Sequence, residues 1–184
     1  EAPFFFTKPA DAALDTPCTI PYPPQTEDLH HEIELVIAIG KGGRNIAEAD
    51  VMDHVWGASV GIDLTRRDLQ AEAKKAGRPW DWGKAFDNSA PIAALKPIAD
   101  VPSVEQGRIW LAVNGEVRQD ADLADLIWSV REHVAILSQS MALAPGDIIM
   151  TGTPAGVAAL VEGDVVTGGV DGIATLEVTI GPRA

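Results

Sequence analysis

The sequence has few cysteines and few cationic residues, and both shortages limit what the protein does. Cys18 is the only cysteine among 184 residues, which excludes an internal disulfide and a cysteine-rich zinc site and fits a reducing compartment. Lysine and arginine number 14 against 27 acidic residues, so the formal net charge is −13. Such a chain repels a phosphate backbone and an anionic lipid surface, so nucleic acid and membrane are poor partners. An anionic substrate would need a local positive centre.

Long apolar runs are also absent. No window approaches the run of about 18 apolar residues that a membrane-spanning helix needs. The opening EAPFFFTKPA lacks the charged, apolar and small-residue regions of a signal peptide. We therefore expect a soluble, cytoplasmic protein. The length suits one domain with a hydrophobic core, and no linker or repeat divides residues 1–184.

Alternating apolar residues predict several strands. Residues 32–39 alternate isoleucine and leucine with glutamate and small residues, which is the period of a strand with one strongly apolar face. Residues 58–65 return to this spacing and place Asp63 on a face of serine and glycine. We also expect a short strand near Phe4, a hairpin at Asn114-Gly115, and further hairpin strands at the C-terminal end.

Helical signals occur in three places. Asn45 and Glu48 resemble the capping pair of a helix of about three turns, and Ser129 begins a second capped helix that runs to about residue 143. Residues 66–77 predict a short helix that ends at its terminal glycine. The following residues 78–91 are expected to form a loop, and loops often carry functional side chains.

Three carboxylates on the predicted strands form the main candidate site. Glu32 and Glu34 lie two residues apart and project from one strand face with His30 ahead of them, so they repel one another at about 6–7 Å unless a cation or solvent separates them. Asp63, beside the small residues of its own strand, would complete an all-oxygen site for Mg²⁺, Mn²⁺ or Ca²⁺ with positions open for substrate and water. This site requires that the two strands be neighbours. The alternative is an outer strand face with solvated glutamates.

Lys84 is the candidate for the positive centre, and Arg66, Arg67 and Gln70 are weaker candidates of the same kind. The TGTP sequence at residues 151–154 offers hydroxyl and backbone N–H groups that can bind a carboxylate. A solvated lysine and a plain turn explain the same letters.

Histidine and serine offer two further possibilities. His30 and His31 are able to ligate a metal or move protons, although a histidine beside a carboxylate site is as often a hydrogen-bonded support. Residues 57–61, GASVG, match the nucleophile elbow of serine esterases, with Ser59 as the nucleophile. The context argues against an elbow, because this stretch joins a predicted helix to a strand and an elbow joins a strand to a helix.

Five stretches, in this order and spacing, resemble the fumarylacetoacetate hydrolase family: HHEIEL, GIDLTRRDLQ, GRPWDWGKAFD, WLAVNGEVRQ and GDIIMTGTPAGV. The openings PFFFTKPADA and PYPPQTEDLHHEIEL look closest to the branch of that family that hydrolyses fumarylpyruvate. The resemblance implies an α+β, β-rich fold, a mixed β-sandwich roll with a few peripheral helices that usually assembles as a homodimer. It also implies that Glu32, Glu34 and Asp63 bind Mg²⁺ or Mn²⁺.

The resemblance further implies an active-site role for Lys84 and places Arg67, Gln70 and Thr153 against the substrate or its metal; His30 is a further candidate catalytic residue. The implied activity is metal-dependent cleavage of the C–C bond of an acylpyruvate, foremost fumarylpyruvate to fumarate and pyruvate in gentisate-type aromatic catabolism. Alternatives within the family are an oxaloacetate-type decarboxylase and a hydroxydienedioate isomerase. Alternatives outside it are a serine esterase and a catalytically inactive metal-binding domain.

One part of the family pattern does not match. Relatives begin with a G-R-N-Y-type strand and a short helical lid that supplies a His-Glu pair for water activation. This sequence starts just after that point, so we expect the metal site to lie within residues 1–184 and that general base to lie outside them.

Overall fold

The computed structural model describes residues 3–183, which form three β-sheets and short helices. The strands are β1 (Ala13–Asp15), β2 (Cys18–Tyr22), β3 (Leu29–His30), β4 (Ile33–Ile39), β5 (Val55–Ile62), β6 (Thr65–Arg66), β7 (Ala90–Ile92), β8 (Lys96–Pro97), β9 (Arg108–Val113), β10 (Glu116–Asp122), β11 (Ile148–Met150), β12 (Ala159–Leu160), β13 (Val165–Val170) and β14 (Ala174–Arg183). The α-helices are α1 (Arg67–Ala76), α2 (Asp81–Lys84) and α3 (Val130–Ser140). Short 3-10 turns lie at Ala10–Ala12, Glu48–Asp53, Ile98–Asp100 and Leu123–Asp125.

The three sheets mix parallel and antiparallel pairs. The six-stranded sheet has the order β1-β7-β5-β4-β11, with β8 paired to β5, and the five-stranded sheet has the order β10-β9-β13-β14-β2. The smallest sheet is β12-β3-β6. The pairs β1–β7 and β14–β2 are parallel, whereas the others are antiparallel. This strand-rich, mixed arrangement confirms the predicted fold class.

The core lies between the two larger sheets. β4 and β5 contact β9, β13 and β14, and every residue from Ile33 to Ile39 is buried. Gly168 on β13 belongs to this contact, because a Cβ there would lie 2.8 Å from Ile33 Cδ1. Both faces of β4 are therefore covered. The alternative of a strand with a solvated outer face is wrong, since no face of β4 meets water.

The pairing of β4 with β5 positions the candidate site. The two strands run antiparallel with Ile33 opposite Ile62 and Glu34 opposite Gly61. Beyond the last ladder pair, the Asp63 amide donates to the Glu32 carbonyl at 2.8 Å. The strands that carry the three carboxylates are thus direct neighbours, which is the condition that the metal-site prediction required.

The helix predicted after Asn45 is shorter than the expected three turns and is a 3-10 helix, Glu48–Asp53. Asn45 has φ 52°, a left-handed conformation, and the segment forms only the 3-10 turn Glu48–Asp53 before β5 begins. The apparent helical spacing came from side chains of two different elements. Gly57 does not stop a helix but lies within β5, where a Cβ would approach the Lys96 carbonyl oxygen to 2.3 Å. Close passage of β8 explains the glycine.

The expected strand near Phe4 is wrong. Residues 3–9 contain no strand, and the Phe4 ring instead packs edge-on against Trp80 with 4.9 Å between ring centroids. Residues 78–91 are not wholly a loop, because α2 forms within them.

Other local predictions are confirmed. Ser129 and Glu132 form a reciprocal capping box at the start of α3, which ends at Ser140 rather than near residue 143. The α1 helix ends at Gly77 with φ 62°. The β9–β10 hairpin turns at Asn114-Gly115 with both residues at positive φ, as a type I′ turn requires. No helix within residues 3–183 combines the length and hydropathy needed to cross a membrane.

Candidate active site

Three carboxylates converge where β4 begins and β5 ends. Glu32 directly precedes β4, Glu34 is its second residue, and Asp63 directly follows β5. One oxygen from each lies within 4.8 Å of the other two, and all three residues are buried. An all-oxygen set of this kind fits Mg²⁺ or Mn²⁺ rather than a soft metal. The structure therefore brings together the three residues that the sequence singled out.

Lys84 lies between two of these carboxylates, Glu32 and Asp63. Its Nζ donates to Glu32 Oε2 at 2.8 Å, to Asp63 Oδ2 at 2.5 Å and to Thr65 Oγ1 at 2.7 Å. These three acceptors take all three ammonium protons. The side chain is only 2% exposed, so the alternative of a solvated lysine is wrong.

Close packing of α2 against α1 brings Lys84 inward. Gly83 permits this approach, because a Cβ there would lie 3.0 Å from Gln70 Cβ and 3.0 Å from the Gln70 backbone nitrogen. The short helix therefore depends on glycine just before the lysine. Residues 78–91, which the sequence predicted as a loop, therefore contain a lysine, Lys84, that is almost fully buried.

Lys8 is a second cation of the cluster that sequence reasoning missed, and its side chain is 10% exposed. Its Nζ donates to the carbonyl oxygens of Leu64 and Lys84 at 3.0 and 2.5 Å. It also lies 2.8 Å from Asp63 Oδ1, although that contact lacks the geometry of a hydrogen bond and leaves this buried oxygen without a donor. Burial lowers the pKa of Lys8, against the opposing effect of the Asp63 charge. The only signal in the sequence was an isolated lysine between an aromatic run and a proline.

Arg67 and Gln70 extend the cluster along α1. Arg67 Nη2 donates to Glu32 Oε1 at 2.5 Å, and Nη1 donates to Gln70 Oε1 at 2.6 Å. Arg66 lies outside the cluster, because its guanidinium donates to the Pro24 carbonyl and lies over the Phe86 ring. Of the two adjacent arginines, only Arg67 reaches the carboxylates.

The TGTP loop covers Glu34. The Gly152 amide donates to Glu34 Oε2 at 2.6 Å, and Gly152 has φ 98°. Thr153 Oγ1 donates to the Ile33 carbonyl at 2.8 Å and accepts from Gln119 Nε2 at 2.8 Å. The Thr153 amide has no hydrogen-bond partner among residues 3–183 and so is free to donate to an anion.

The two glutamates have opposite pKa shifts. Burial would raise the pKa of Glu32, but Lys84 and Arg67 outweigh it and lower that pKa overall. Burial, followed by the charge of Asp63, raises the pKa of Glu34 to about 8. Burial also raises the pKa of Asp63 despite its neighbouring lysines. Within the described residues no cation lies within 4 Å of Glu34, so this carboxylate fits a bound divalent ion.

The two histidines ahead of Glu32 lie in different surroundings. His30 Nε2 contacts Asp28 Oδ1 at 2.9 Å, and its buried Nδ1 has no partner among residues 3–183. Neither ring nitrogen is hydrogen-bonded to the acidic cluster. His31 is fully buried and its Nδ1 contacts Gln119 Oε1 at 2.9 Å, so its contacts are those of a support.

Ser59 is not an esterase nucleophile. It lies within β5 rather than on a strand-to-helix turn, and it is fully buried. Its hydroxyl donates to the Ala93 carbonyl at 2.8 Å and lies 3.1 Å from the Ala94 carbonyl. A nucleophile elbow requires an exposed hydroxyl beside a base, so the esterase alternative is wrong.

Known proteins are similar to this chain in both sequence and fold. The family described as fumarylacetoacetate (FAA) hydrolase, C-terminal, matches residues 1–181. The chain belongs to the fumarylacetoacetate hydrolase family. This confirms the resemblance drawn from the five sequence stretches.

Relatives within the fumarylacetoacetate hydrolase family differ in their reactions. A fumarylpyruvate hydrolase from a Ralstonia species is 45% identical over 182 residues, which is 99% of this chain and 94% of that protein. A mitochondrial oxaloacetate tautomerase from Bos taurus is 38% identical over 175 residues, which is 95% of this chain and 79% of that protein. The crystal structure of fumarylpyruvate hydrolase from Pseudomonas aeruginosa in complex with Mn²⁺ and pyruvate has a TM-score of 0.96 and 48% identity, covering 100% of this chain and 80% of that one.

Proposed function

We propose that this protein is a divalent-metal-dependent hydrolase that cleaves the C–C bond of an acylpyruvate, foremost fumarylpyruvate to fumarate and pyruvate. The observation that carries the proposal is the group of three buried carboxylates whose oxygens lie within 4.8 Å of one another. Glu32, Glu34 and Asp63 would hold Mg²⁺ or Mn²⁺. The related Pseudomonas structure, which contains Mn²⁺ and pyruvate, supports this choice of metal and of a 2-oxo acid ligand.

A divalent cation held by these carboxylates supplies Lewis-acid polarisation of a 2-oxo acid carbonyl and stabilises a pyruvate enolate as a leaving group. In the hydrolysis, water adds to the acyl carbonyl, the C–C bond breaks, and its electron pair passes to the pyruvate fragment, which then takes a proton.

Lys84 contributes to this reaction as a fixed positive charge in a buried site. Negative charge develops on the acyl carbonyl oxygen as water attacks, and a nearby ammonium stabilises it more in the transition state than in the bound substrate. All three Lys84 protons already have acceptors in Glu32, Asp63 and Thr65. Contact with substrate therefore exchanges one of these bonds for one to the reacting oxygen.

Arg67, Gln70 and Thr153 are proposed to bind and orient the substrate. Arg67 is more accessible than Lys8 or Lys84, with 23% of its side chain exposed, and the planar donors of its guanidinium suit a carboxylate. The Thr153 hydroxyl already donates a hydrogen bond to the Ile33 carbonyl, so the available donor of Thr153 is its backbone amide. We propose that these groups hold the anionic substrate, and the fumarate and pyruvate formed from it, within an otherwise acidic protein.

We expect the His-Glu pair that serves as general base in relatives to lie outside residues 1–184, and His30 is the first residue to test for a base within them. Donation from Nε2 to the Asp28 carboxylate leaves the Nδ1 lone pair free, which is the tautomer that a base requires. His30→Gln should lower kcat while leaving Mn²⁺ affinity unchanged. An unchanged kcat would mean that another group takes the proton from water.

The test is a substrate panel with matched metal controls. Fumarylpyruvate, a shorter acylpyruvate and oxaloacetate are incubated with Mg²⁺ or Mn²⁺, and product formation is followed with and without EDTA. We expect the largest kcat/KM for fumarylpyruvate, loss of turnover with EDTA and recovery with Mn²⁺. Metal-independent turnover, or no cleavage of any acylpyruvate, would contradict the proposal.

Oxaloacetate tautomerisation is the second candidate, favoured by the 38% identity to the Bos taurus tautomerase. It needs the same stabilised enolate but no attacking water. Oxaloacetate decarboxylation and hydroxydienedioate isomerisation share this enolate chemistry. A larger kcat/KM for oxaloacetate than for fumarylpyruvate would favour this candidate.

We further propose that residues 1–184 act as one catalytic domain, in a cytoplasmic homodimer. Light scattering after size-exclusion chromatography would give about twice the chain mass of 19.4 kDa for a dimer. A mass of one chain would contradict the dimer.

A further inference from the structure

We infer that Gln119 is a positioning residue that sets the metal affinity of the site. It does so by holding residues 31–34, which include Glu32 and Glu34, in register with the TGTP loop, residues 151–154. The inference rests on the proposed function, because it concerns the metal that the site would hold. Gln119 lies on β10, in a different sheet from β4 and β5, and touches none of the three carboxylates directly.

An irregularity in β10 aims Gln119 inward. The register of β10 against β9 shifts between Val117 and Gln119. Gln119 is the one fully buried residue of this otherwise half-exposed or exposed strand. Bulges often occur beside functional sites, where they turn a side chain that a regular strand would point elsewhere.

The loop after Thr153 packs directly against this bulge. Gly156 has φ 102°, and a Cβ there would lie 2.0 Å from the Arg118 carbonyl oxygen and 3.3 Å from Gln119 Cγ. Any other residue at this position would separate the loop from β10. The contact between the loop and the Gln119 side chain is therefore specified by the backbone.

Gln119 satisfies its amide completely. Its Oε1 accepts from the Ile33 amide at 3.1 Å and from His31 Nδ1 at 2.9 Å. Its Nε2 donates to Thr153 Oγ1 at 2.8 Å and to the Pro154 carbonyl at 2.8 Å. The Ile33 amide only donates and the Pro154 carbonyl only accepts, so both ends fix the orientation of the side-chain amide.

These four bonds determine two further proton positions. Because Oε1 only accepts, His31 Nδ1 carries a proton and donates to it. Because Nε2 only donates, Thr153 Oγ1 accepts from it, and the Thr153 hydroxyl donates its own hydrogen bond to the Ile33 carbonyl. The network therefore has a single consistent direction from His31 and Ile33 through Gln119 to the loop.

The segments joined by this network are those that hold the glutamates. Ile33 lies between Glu32 and Glu34 in the chain, and the loop supplies the Gly152 amide that donates to Glu34 at 2.6 Å. A buried glutamine that merely filled space in its own sheet would bond to its own sheet. All four of its partners instead come from these two segments of the site.

Metal affinity of purified protein tests the inference without an activity assay. Gln119→Met keeps the volume and removes all four bonds, and supporting residues of this kind typically change metal affinity by about 10–100-fold. We expect Mn²⁺ binding, measured by calorimetry with Mn²⁺ alone, to weaken by about this factor. Val178→Ala is the matched control, because Val178 is fully buried in the same five-stranded sheet and its strand partners, Val166 and Cys18, make none of the four bonds of Gln119. It should lower the melting temperature and leave Mn²⁺ affinity unchanged.

A second pair of variants keeps the inference testable if Gln119→Met does not fold. Thr153→Val keeps the volume and removes two hydrogen bonds, the one from Gln119 and the one to the Ile33 carbonyl. We expect a loss of about 2–10-fold in Mn²⁺ affinity for each of these bonds. Thr153→Ser keeps the hydroxyl and should retain the affinity.

Two results would overturn the inference, and they are distinguishable. If the wild-type protein binds Mn²⁺ and folded Gln119→Met binds it equally well, the positioning role is wrong while the proposed function stands. If the wild-type protein binds neither Mn²⁺ nor Mg²⁺, the proposed function fails and the inference fails with it.

Discussion

The buried cluster and the surface of the β9–β10 hairpin each pair a basic side chain with an aspartate at a similar distance. Lys84 Nζ lies 2.5 Å from Asp63 Oδ2, and both side chains are 2% exposed. Arg108 Nε lies 2.8 Å from Asp120 Oδ1, and these side chains are 45% and 49% exposed. Water solvates the exposed charges whether they are paired or not, whereas the buried charges have only their protein partners. Burial, more than distance, therefore determines how strongly the protein depends on each pair.

The same contrast exists within the cluster. Glu32 contacts Lys84 and Arg67, and its pKa is lowered although burial acts in the opposite direction. Glu34, two residues away, contacts only the Gly152 amide among these groups, and its pKa is raised to about 8. One glutamate is compensated by protein cations and the other is left for a proton or a metal ion. Four predictions sharpen these contrasts.

The largest effect is expected for Asp63→Ala. It removes the carboxylate shared by Lys8 and the buried Lys84, and loss of one partner of a buried pair such as Lys84–Asp63 lowers the free energy of unfolding by about 3–5 kcal/mol. The rise in melting temperature on adding Mn²⁺ or Mg²⁺ should disappear. Asp120→Ala is the control and should keep that rise. Unchanged Mn²⁺ affinity of Asp63→Ala by calorimetry would show that Asp63 is not a ligand.

Lys84→Met should lower kcat by about 10²-fold or more, the scale for removal of one oxyanion-stabilising donor, with a smaller change in KM. The cause is that the ammonium acts chiefly in the transition state. Steady-state kinetics on fumarylpyruvate measures both constants, and exposed Lys75→Met is the matched control. Normal kcat with a raised KM would instead make Lys84 a substrate-binding residue.

Glu34 should make both stability and metal binding depend on pH. Its pKa is about 8 in the folded protein against an ordinary value of 4.5, so the folded metal-free protein holds this proton more tightly than the unfolded chain does. Stability is therefore greatest below the ordinary value and decreases as pH rises to about 8, with a maximum slope of about 1.4 kcal/mol per pH unit for one proton.

Mn²⁺ competes with the proton on Glu34, so its affinity should increase by up to about tenfold per pH unit over the same range. Melting curves of metal-free protein measure the change in stability, and Mn²⁺ titrations measure the change in affinity, both between about pH 5.5 and 8. Glu34→Gln should flatten the stability profile. A wild-type profile that is already flat would mean that Glu34 is ionised throughout.

The smallest effect is expected for Arg108→Ala. The pair with Asp120 is exposed, so water replaces the lost partner and the melting temperature should not change measurably. Thermal unfolding of this variant and of the double variant with Asp120→Ala measures the coupling. A large coupling would show that exposed pairs in this protein carry more energy than their surroundings indicate.

Sequence patterns located the carboxylates because Glu32, Glu34 and Asp63 lie within or directly beside two strands with clear alternation. The same reasoning did not find Lys8 or Gln119. Lys8 has no periodic neighbours and reaches the cluster from a segment without regular structure. Gln119 is turned inward by a bulge, and on a regular alternating pattern it reads as one more polar residue of a hairpin. Side chains that depend on strand irregularity and long-range packing leave little signal in local spacing.

The length of the helix predicted after Asn45 shows the opposite failure. There a local signal was present, but Asn45 takes a left-handed conformation and Val55 already belongs to β5. Pairing of β5 with β4 along its length stabilises strand structure over the helical preference of these residues.

The bond from the Gly152 amide to Glu34 joins residues 118 positions apart in the chain. Contacts of such long sequence separation require closure of a large loop and tend to form late in folding. We therefore expect a site completed by this contact to be absent from the folding transition state. Added Mn²⁺ should therefore slow unfolding and leave the refolding rate nearly unchanged. Stopped-flow unfolding and refolding with and without the metal would separate the two rates, and faster refolding would show that the site forms early.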